Sequence, residues 1–150
     1  MKKVLLPLLL LAAGNIVSAQ SSKEVHWSYS AKKIADKTYE VHMTASINGD
    51  YHMYAQNGGD GPVSTSFTFT KNPLITPVGK VKEVGKMVKK FEQAFKSEVR
   101  YYEKSVDFVQ TIKLRSSAKT SLMGKVEFMV CNDKQCLPPA DVDINVNIGG

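Results

Sequence analysis

The chain has 150 residues, 20 lysines and arginines against 14 acids, a formal charge of +6 and only two cysteines. That length suffices for one domain with its own core, and two cysteines are too few for a small disulfide-dense scaffold. The positive balance admits an anionic partner, but no nucleic-acid-binding motif accompanies it, and much of it sits in one lysine-rich stretch, residues 80–96, that reads as a solvated face.

The chain opens as a targeting segment. Met1-Lys2-Lys3 is basic, residues 4–13 are almost wholly apolar, and Val17-Ser18-Ala19 fits the small-x-small rule for signal peptidase. The apolar run falls short of the ~20 residues that a spanning helix needs. Cleavage is expected after Ala19, giving a signal peptide over residues 1–19 and a single soluble domain over 20–150, exported to an oxidising compartment of periplasmic type.

Residues 25–29 read as a first strand and residues 31–37 as a polar turn region. Tyr39, Val41, Met43, Ala45 and Ile47 share one parity, with Glu40, His42, Thr44 and Ser46 on the other, the period of a half-buried strand. Asn48-Gly49-Asp50 marks a turn, residues 51–55 resume an extended run, and residues 56–62 are a loop by composition. Phe67 and Phe69 alternate with Ser66, Thr68 and Thr70. Residues 74–84 are extended but irregular, because Pro77 and Gly79 interrupt them. Val81, Val84, Val88, Phe91 and Phe95 have helical spacing, so a short helix or turn inside a long loop is expected there. Residues 99–102, 106–114, 126–130 and 142–148 complete the strands. Eight or so short strands separated by turn signals specify an all-β sandwich or barrel.

The chemistry concentrates in Cys131-Asn132-Asp133-Lys134-Gln135-Cys136-Leu137-Pro138-Pro139. An apolar strand delivers the first cysteine, four polar residues separate it from the second, and the prolines force an extended exit. In an oxidising compartment such a pair is expected to form a disulfide. A six-residue loop contributes only about 2 kcal/mol by chain entropy, so the spacing suits exchange chemistry better than stability. The alternative is a non-catalytic module whose short-loop bond merely stiffens the loop. Zinc is disfavoured, since His26, His42 and His52 lack close ligand spacing. No metal or other cofactor is expected.

At Phe128 and through the cysteine motif the sequence resembles the N-terminal periplasmic domain of the thiol:disulfide interchange protein DsbD. Asn48-Gly49-Asp50-Tyr51-His52-Met53-Tyr54 and Lys96-Ser97-Glu98-Val99 match the family in the same order. The resemblance implies an immunoglobulin-like β-sandwich acting as a protein-disulfide reductase or exchange carrier. Its dithiol would be reduced by a membrane-embedded donor protein, and would pass electrons to periplasmic thioredoxin-like acceptors. Carried onto this sequence, Cys131 and Cys136 are the exchanging pair, with Cys136 favoured for the mixed disulfide. The family's cap loop maps to Phe91-Glu92-Gln93-Ala94-Phe95, with Phe91 or Phe95 as the covering aromatic and Glu92 as its acidic neighbour. His52 and Tyr54 fall on family positions beside the cysteines, both tyrosine in the family. Because the sequence ends at Gly150, without the family's membrane helices, the donor is expected to be a separate protein.

Overall fold

A computed structural model describes residues 20–150. The expected signal peptide lies outside the described residues. The alternating segments form strands, as their period of two requires. After a 3₁₀ turn over Gln20–Lys23 come β1 (Val25–Ala35), β2 (Thr38–Ile47), β3 (His52–Tyr54), β4 (Ser66–Phe69), β5 (Ile75–Val84) and β6 (Met87–Glu92). They are followed by β7 (Ser97–Glu103), β8 (Ser105–Leu114), β9 (Thr120–Phe128), β10 (Val130–Cys131) and β11 (Ala140–Ile148).

Two antiparallel sheets, β1-β2-β8-β5 and β11-β9-β4, close on one apolar core, and the domain is an immunoglobulin-like β-sandwich. The parity read from β2 is the one buried: Val41, Met43 and Ala45 are fully enclosed, against Phe108 and Ile112 of β8 and Val126 and Phe128 of β9.

A third sheet, β10-β3-β7-β6, carries the cysteines. Three of its strands continue the first sheet around a corner. The chain turns from β2 to β3 through Asn48-Gly49-Asp50, from β5 to β6 through Gly85-Lys86, and from β7 to β8 at Lys104, whose φ is 64°. The Ile47 amide donates to the Lys104 carbonyl at 2.8 Å and ties two of these bends together. The fourth strand, β10, continues β9 past Met129, so strands of both sandwich sheets meet at the site. One face of the third sheet, with Met53, Tyr102 and Val130, joins the main core. The other buries Tyr54, Val99, Tyr101 and Cys131 as a separate small cluster.

Two local expectations are corrected. The first strand runs on to Ala35, leaving only a tight turn where residues 31–37 were read as polar turn. Residues 81–95 contain no helix: β6 pairs with β7 from Met87↔Tyr102 to Glu92↔Ser97. Glycines 79 and 85 and the valines disfavour a helix, while β7 offers a ready ladder. The strand period is hidden because the ribbon extends beyond the sandwich, leaving Met87, Lys89, Lys90 and Phe91 all exposed.

Candidate redox site

Cys131 and Cys136 face each other across a hairpin and are joined by a disulfide with Cα atoms 4.0 Å apart. The Leu137 amide donates to the Val130 carbonyl at 3.0 Å on one side of the pair. On the other side the Asn132 amide donates to the Gln135 carbonyl at 2.9 Å. The cysteines thus occupy a non-hydrogen-bonded position of an antiparallel ladder, where opposed side chains lie closest. The turn is held by its own side chain: Asn132 Oδ1 accepts from the Lys134 and Gln135 amides at 3.0 and 2.9 Å, the local bonding that makes asparagine a turn former. The preceding β2–β3 corner braces it from outside, since Gln135 Nε2 donates to Tyr51 Oη at 2.9 Å. Backbone and Asn132 hydrogen bonds therefore close the hairpin alongside the covalent bond.

The two cysteines differ in exposure. Cys131 is 2% exposed within the small cluster, whereas Cys136 is exposed. A cleft of about 320 Å³ runs over the pair, lined by His52, Tyr54, Glu92, Phe95 and the 131–136 hairpin. A larger hollow of about 650 Å³ on the outer face of β4, β9 and β11 contains neither cysteine.

The sequence-selected neighbours separate in space. Phe95 sits at the tip of the β6–β7 ribbon, half-buried against the small cluster, its ring edge-on to Tyr54 at 6.2 Å. Phe91 lies on the opposite face of β6 and is 57% exposed, outside the cleft. Glu92 shares the cleft-facing parity and pairs with Lys90 at 3.4 Å. That carboxylate, by charge and then by hydrogen bond, holds the Lys90 ammonium above its ordinary pKa. Tyr54 is almost fully enclosed; burial, then the Glu92 carboxylate, pushes its phenol up to about 12, so it stays protonated. His52 is 8% exposed, with Nε2 3.3 Å from Tyr54 Oη and its ring 4.2 Å from the Tyr101 ring. Burial lowers the His52 pKa, partly countered by Glu92, Glu103 and Asp133. The other histidines lie elsewhere: His42 pairs with Asp107 at 2.7 Å on β2 and β8, and His26 is exposed on β1.

Two contributors are absent from the sequence reading. Tyr101, whose ring partners both His52 and Tyr54, was only a strand residue there, although its parity with Val99 would have placed it on the site face. The glycine loop before β4 holds the ribbon tip. The Arg100 amide donates to the Gly58 carbonyl at 2.8 Å, and Ser97 Oγ donates to the Asp60 carbonyl at 2.6 Å. At Gly61, with φ 111°, an added Cβ would lie 2.4 Å from Phe95 Cδ1. The Phe95 ring fits only because that position has no side chain.

In fold, the chain is similar to the N-terminal domain of DsbD from Neisseria meningitidis in its reduced form, with a TM-score of 0.55 at 15% identity over 86% of this chain and 89% of that one. It is also similar to the N-terminal periplasmic domain of ScsB from Proteus mirabilis, with a TM-score of 0.53 at 14% identity over 83% of this chain and 45% of that one. A weaker match, with a TM-score of 0.48 at 14% identity over 91% of each chain, is to the complex of the DsbD N-terminal and PilB N-terminal domains from Neisseria meningitidis. No curated protein matches the sequence. The family described as thiol:disulfide interchange protein DsbD, N-terminal, matches residues 18–148, which include both cysteines and every strand above, and the chain belongs to that family.

Proposed function

We propose that this domain carries electrons by thiol–disulfide exchange through Cys131 and Cys136. The observation that supports this reading best is the asymmetric pair: one exposed cysteine bonded to one enclosed cysteine, in a hairpin also closed by backbone hydrogen bonds. A partner thiolate approaching along the S–S axis reaches Cys136, and Cys131 is the leaving sulfur. In the reducing direction Cys136 attacks a partner disulfide and Cys131 resolves the mixed disulfide. Phe95 and Glu92, on the ribbon tip beside the pair, form the cap, with Tyr54 as its seat. The partners are a membrane-embedded donor protein and thioredoxin-like acceptors. Residues 1–19 act as a cleaved signal peptide, which places the work in the periplasm. Among the described residues, no helix is long and apolar enough to cross a membrane.

The test is equilibration of the purified domain with glutathione and dithiothreitol buffers. A potential in the range of exchange proteins supports the reading, whereas one below about −300 mV marks a structural bond and makes the domain a binding module. Mass spectrometry of exported protein checks the processing site, with Gln20 as the expected first residue.

A further inference from the structure

The feature with no counterpart in the exchange scheme above is His52. It stands directly opposite Cys131 in the β3–β10 register, on the same face, and both line the cleft. Directly opposed side chains in an antiparallel pair have Cβ atoms roughly 4.5–5.5 Å apart. The His52 imidazole therefore stands beside the enclosed cysteine, while Cys136 is exposed. We propose that His52 is the proton acceptor for Cys131, removing the thiol proton when Cys131 resolves a mixed disulfide. The proposal rests on the exchange function stated above.

Cys136 Sγ is bonded to a sulfur of the partner, a thioredoxin-like disulfide protein already opened by Cys136. The Cys131 thiol gives its proton to His52, and its freed electron pair forms the Cys131–Cys136 bond. The bond from Cys136 to the partner breaks, and its electron pair leaves on the partner sulfur as a thiolate. Over the whole cycle the cysteine pair loses two electrons and the partner disulfide gains them. His52 then returns the proton to water or to the departing thiolate.

The surroundings fit both states of the ring. Enclosure in the cleft favours a neutral imidazole able to accept a proton, and the tautomer that does so is the one whose Nε2–H donates to Tyr54 Oη, leaving Nδ1 unprotonated. Once charged, the ring lies 4.2 Å from the Tyr101 ring, within cation–π range. The charged groups acting on it are Glu103 of β7, Glu92 and Lys90 of β6, and Asp133 of the cysteine hairpin, three acids against one base. Lys134 of the hairpin lines the same cleft, as does Tyr54, and Tyr101 packs on the ring; burial raises both phenols, so neither competes for the proton near neutrality.

Two measurements test this. NMR titration of the His52 ring in the reduced domain gives its midpoint, and the rate at which Cys131 closes the bond should fall as pH drops through that same midpoint. A rate that instead rises only with a thiol ionisation above about pH 8 overturns the proposal, and this test requires no variant. The second uses stopped-flow reaction of the reduced domain with the disulfide of 5-thio-2-nitrobenzoate, which loads Cys136 and then releases a coloured thiolate as Cys131 closes the bond. In His52→Gln the second release should slow about tenfold at neutral pH and lose its inflection between pH 5 and 8, with the first release unchanged. An unchanged second release, with the wild-type pH profile, overturns the proposal. Failure of the exchange function itself looks different: the wild-type bond would resist the glutathione pool whatever residue stands at 52.

Discussion

Exchange at a disulfide requires in-line approach to one sulfur, so exposure decides which cysteine meets the partner before any difference in thiol acidity matters. With Cys136 exposed and Cys131 2% exposed, the reduced domain should be alkylated at Cys136 faster by roughly tenfold or more, as read by peptide mass spectrometry after a timed pulse. Equal labelling would remove the asymmetry on which the proposed order of attack depends. Cys131→Ala should still accumulate a mixed disulfide with a thioredoxin-like partner, and Cys136→Ala should not. His52 adds a stability effect with a definite sign. Burial lowers its folded pKa, so below the ordinary histidine range the unfolded chain binds the extra proton and the folded chain does not. The oxidised domain should lose stability as pH falls from about 7 towards 5, and His52→Gln should lose less over the same interval, measured by urea unfolding. The cysteines were legible in the sequence because no other cysteine competes for the pairing and a turn-forming asparagine follows Cys131 directly. The place of His52 beside the cysteines was legible only through the family resemblance; its pairing opposite Cys131 was not legible, because it depends on the register of β3 against both β10 and β7, and none of those three strands is adjacent to another in sequence.

At the scale of elements, the β6–β7 ribbon explains why the covering aromatic could not be chosen from sequence. Phe91 and Phe95 are one helical turn apart, and a helix would put both on one face. A strand with a turn after Glu92 separates them: Phe91 faces outward on β6, while Phe95 folds back at the turn onto Tyr54. The turn is closed by the Phe95 amide donating to the Glu92 carbonyl at 3.2 Å, and by Lys96 adopting φ 52°. Phe95→Ala should therefore speed oxidation of the reduced domain by a small reagent several-fold, while Phe91→Ala leaves the rate near that of the parent. The glycine loop gives an independent route to the same result. Gly61→Ala would place a methyl where the Phe95 ring sits, at a φ that alanine resists, and should displace the ring without altering it. Matching rate increases in Phe95→Ala and Gly61→Ala, with both variants still cooperatively folded, would establish the ribbon tip as the gate. If neither changes the rate, Phe95 is only packing.

For the whole molecule, the location of the main core decides what the disulfide contributes to folding. That core lies between β1-β2-β8-β5 and β11-β9-β4; the alternation of β2, β8 and β11 was readable in the sequence because each is half-buried, whereas β9 was read only from Val126, because Gly124 and Lys125 interrupt its apolar period. The third sheet was not readable as a separate element, because its strands are continuations of the first two sheets bent at Asn48-Gly49-Asp50, Gly85-Lys86 and Lys104. Cys131 belongs to the small cluster on the outer face of that third sheet and Cys136 is exposed, so neither sulfur fills space in the main core. The bond closes a loop spanning a sequence separation of 5, worth about 2 kcal/mol by chain entropy. The hairpin carrying it is already closed by two backbone bonds and the Asn132 side chain. Replacing both cysteines by serine should therefore leave a cooperatively folded β protein, lower in stability by about 2 kcal/mol and with an unchanged urea m-value, because the surface exposed on unfolding is nearly the same. The loss should be uneven. Amides of β3, β7 and β10 should exchange faster with solvent, while those of β2, β8 and β9 keep protection close to the global stability, since the small cluster can open without the sandwich. If the serine variant were unfolded at room temperature, or if exchange rose equally in β2 and β8, the disulfide would be holding the sandwich together, contrary to the separation of the two buried clusters.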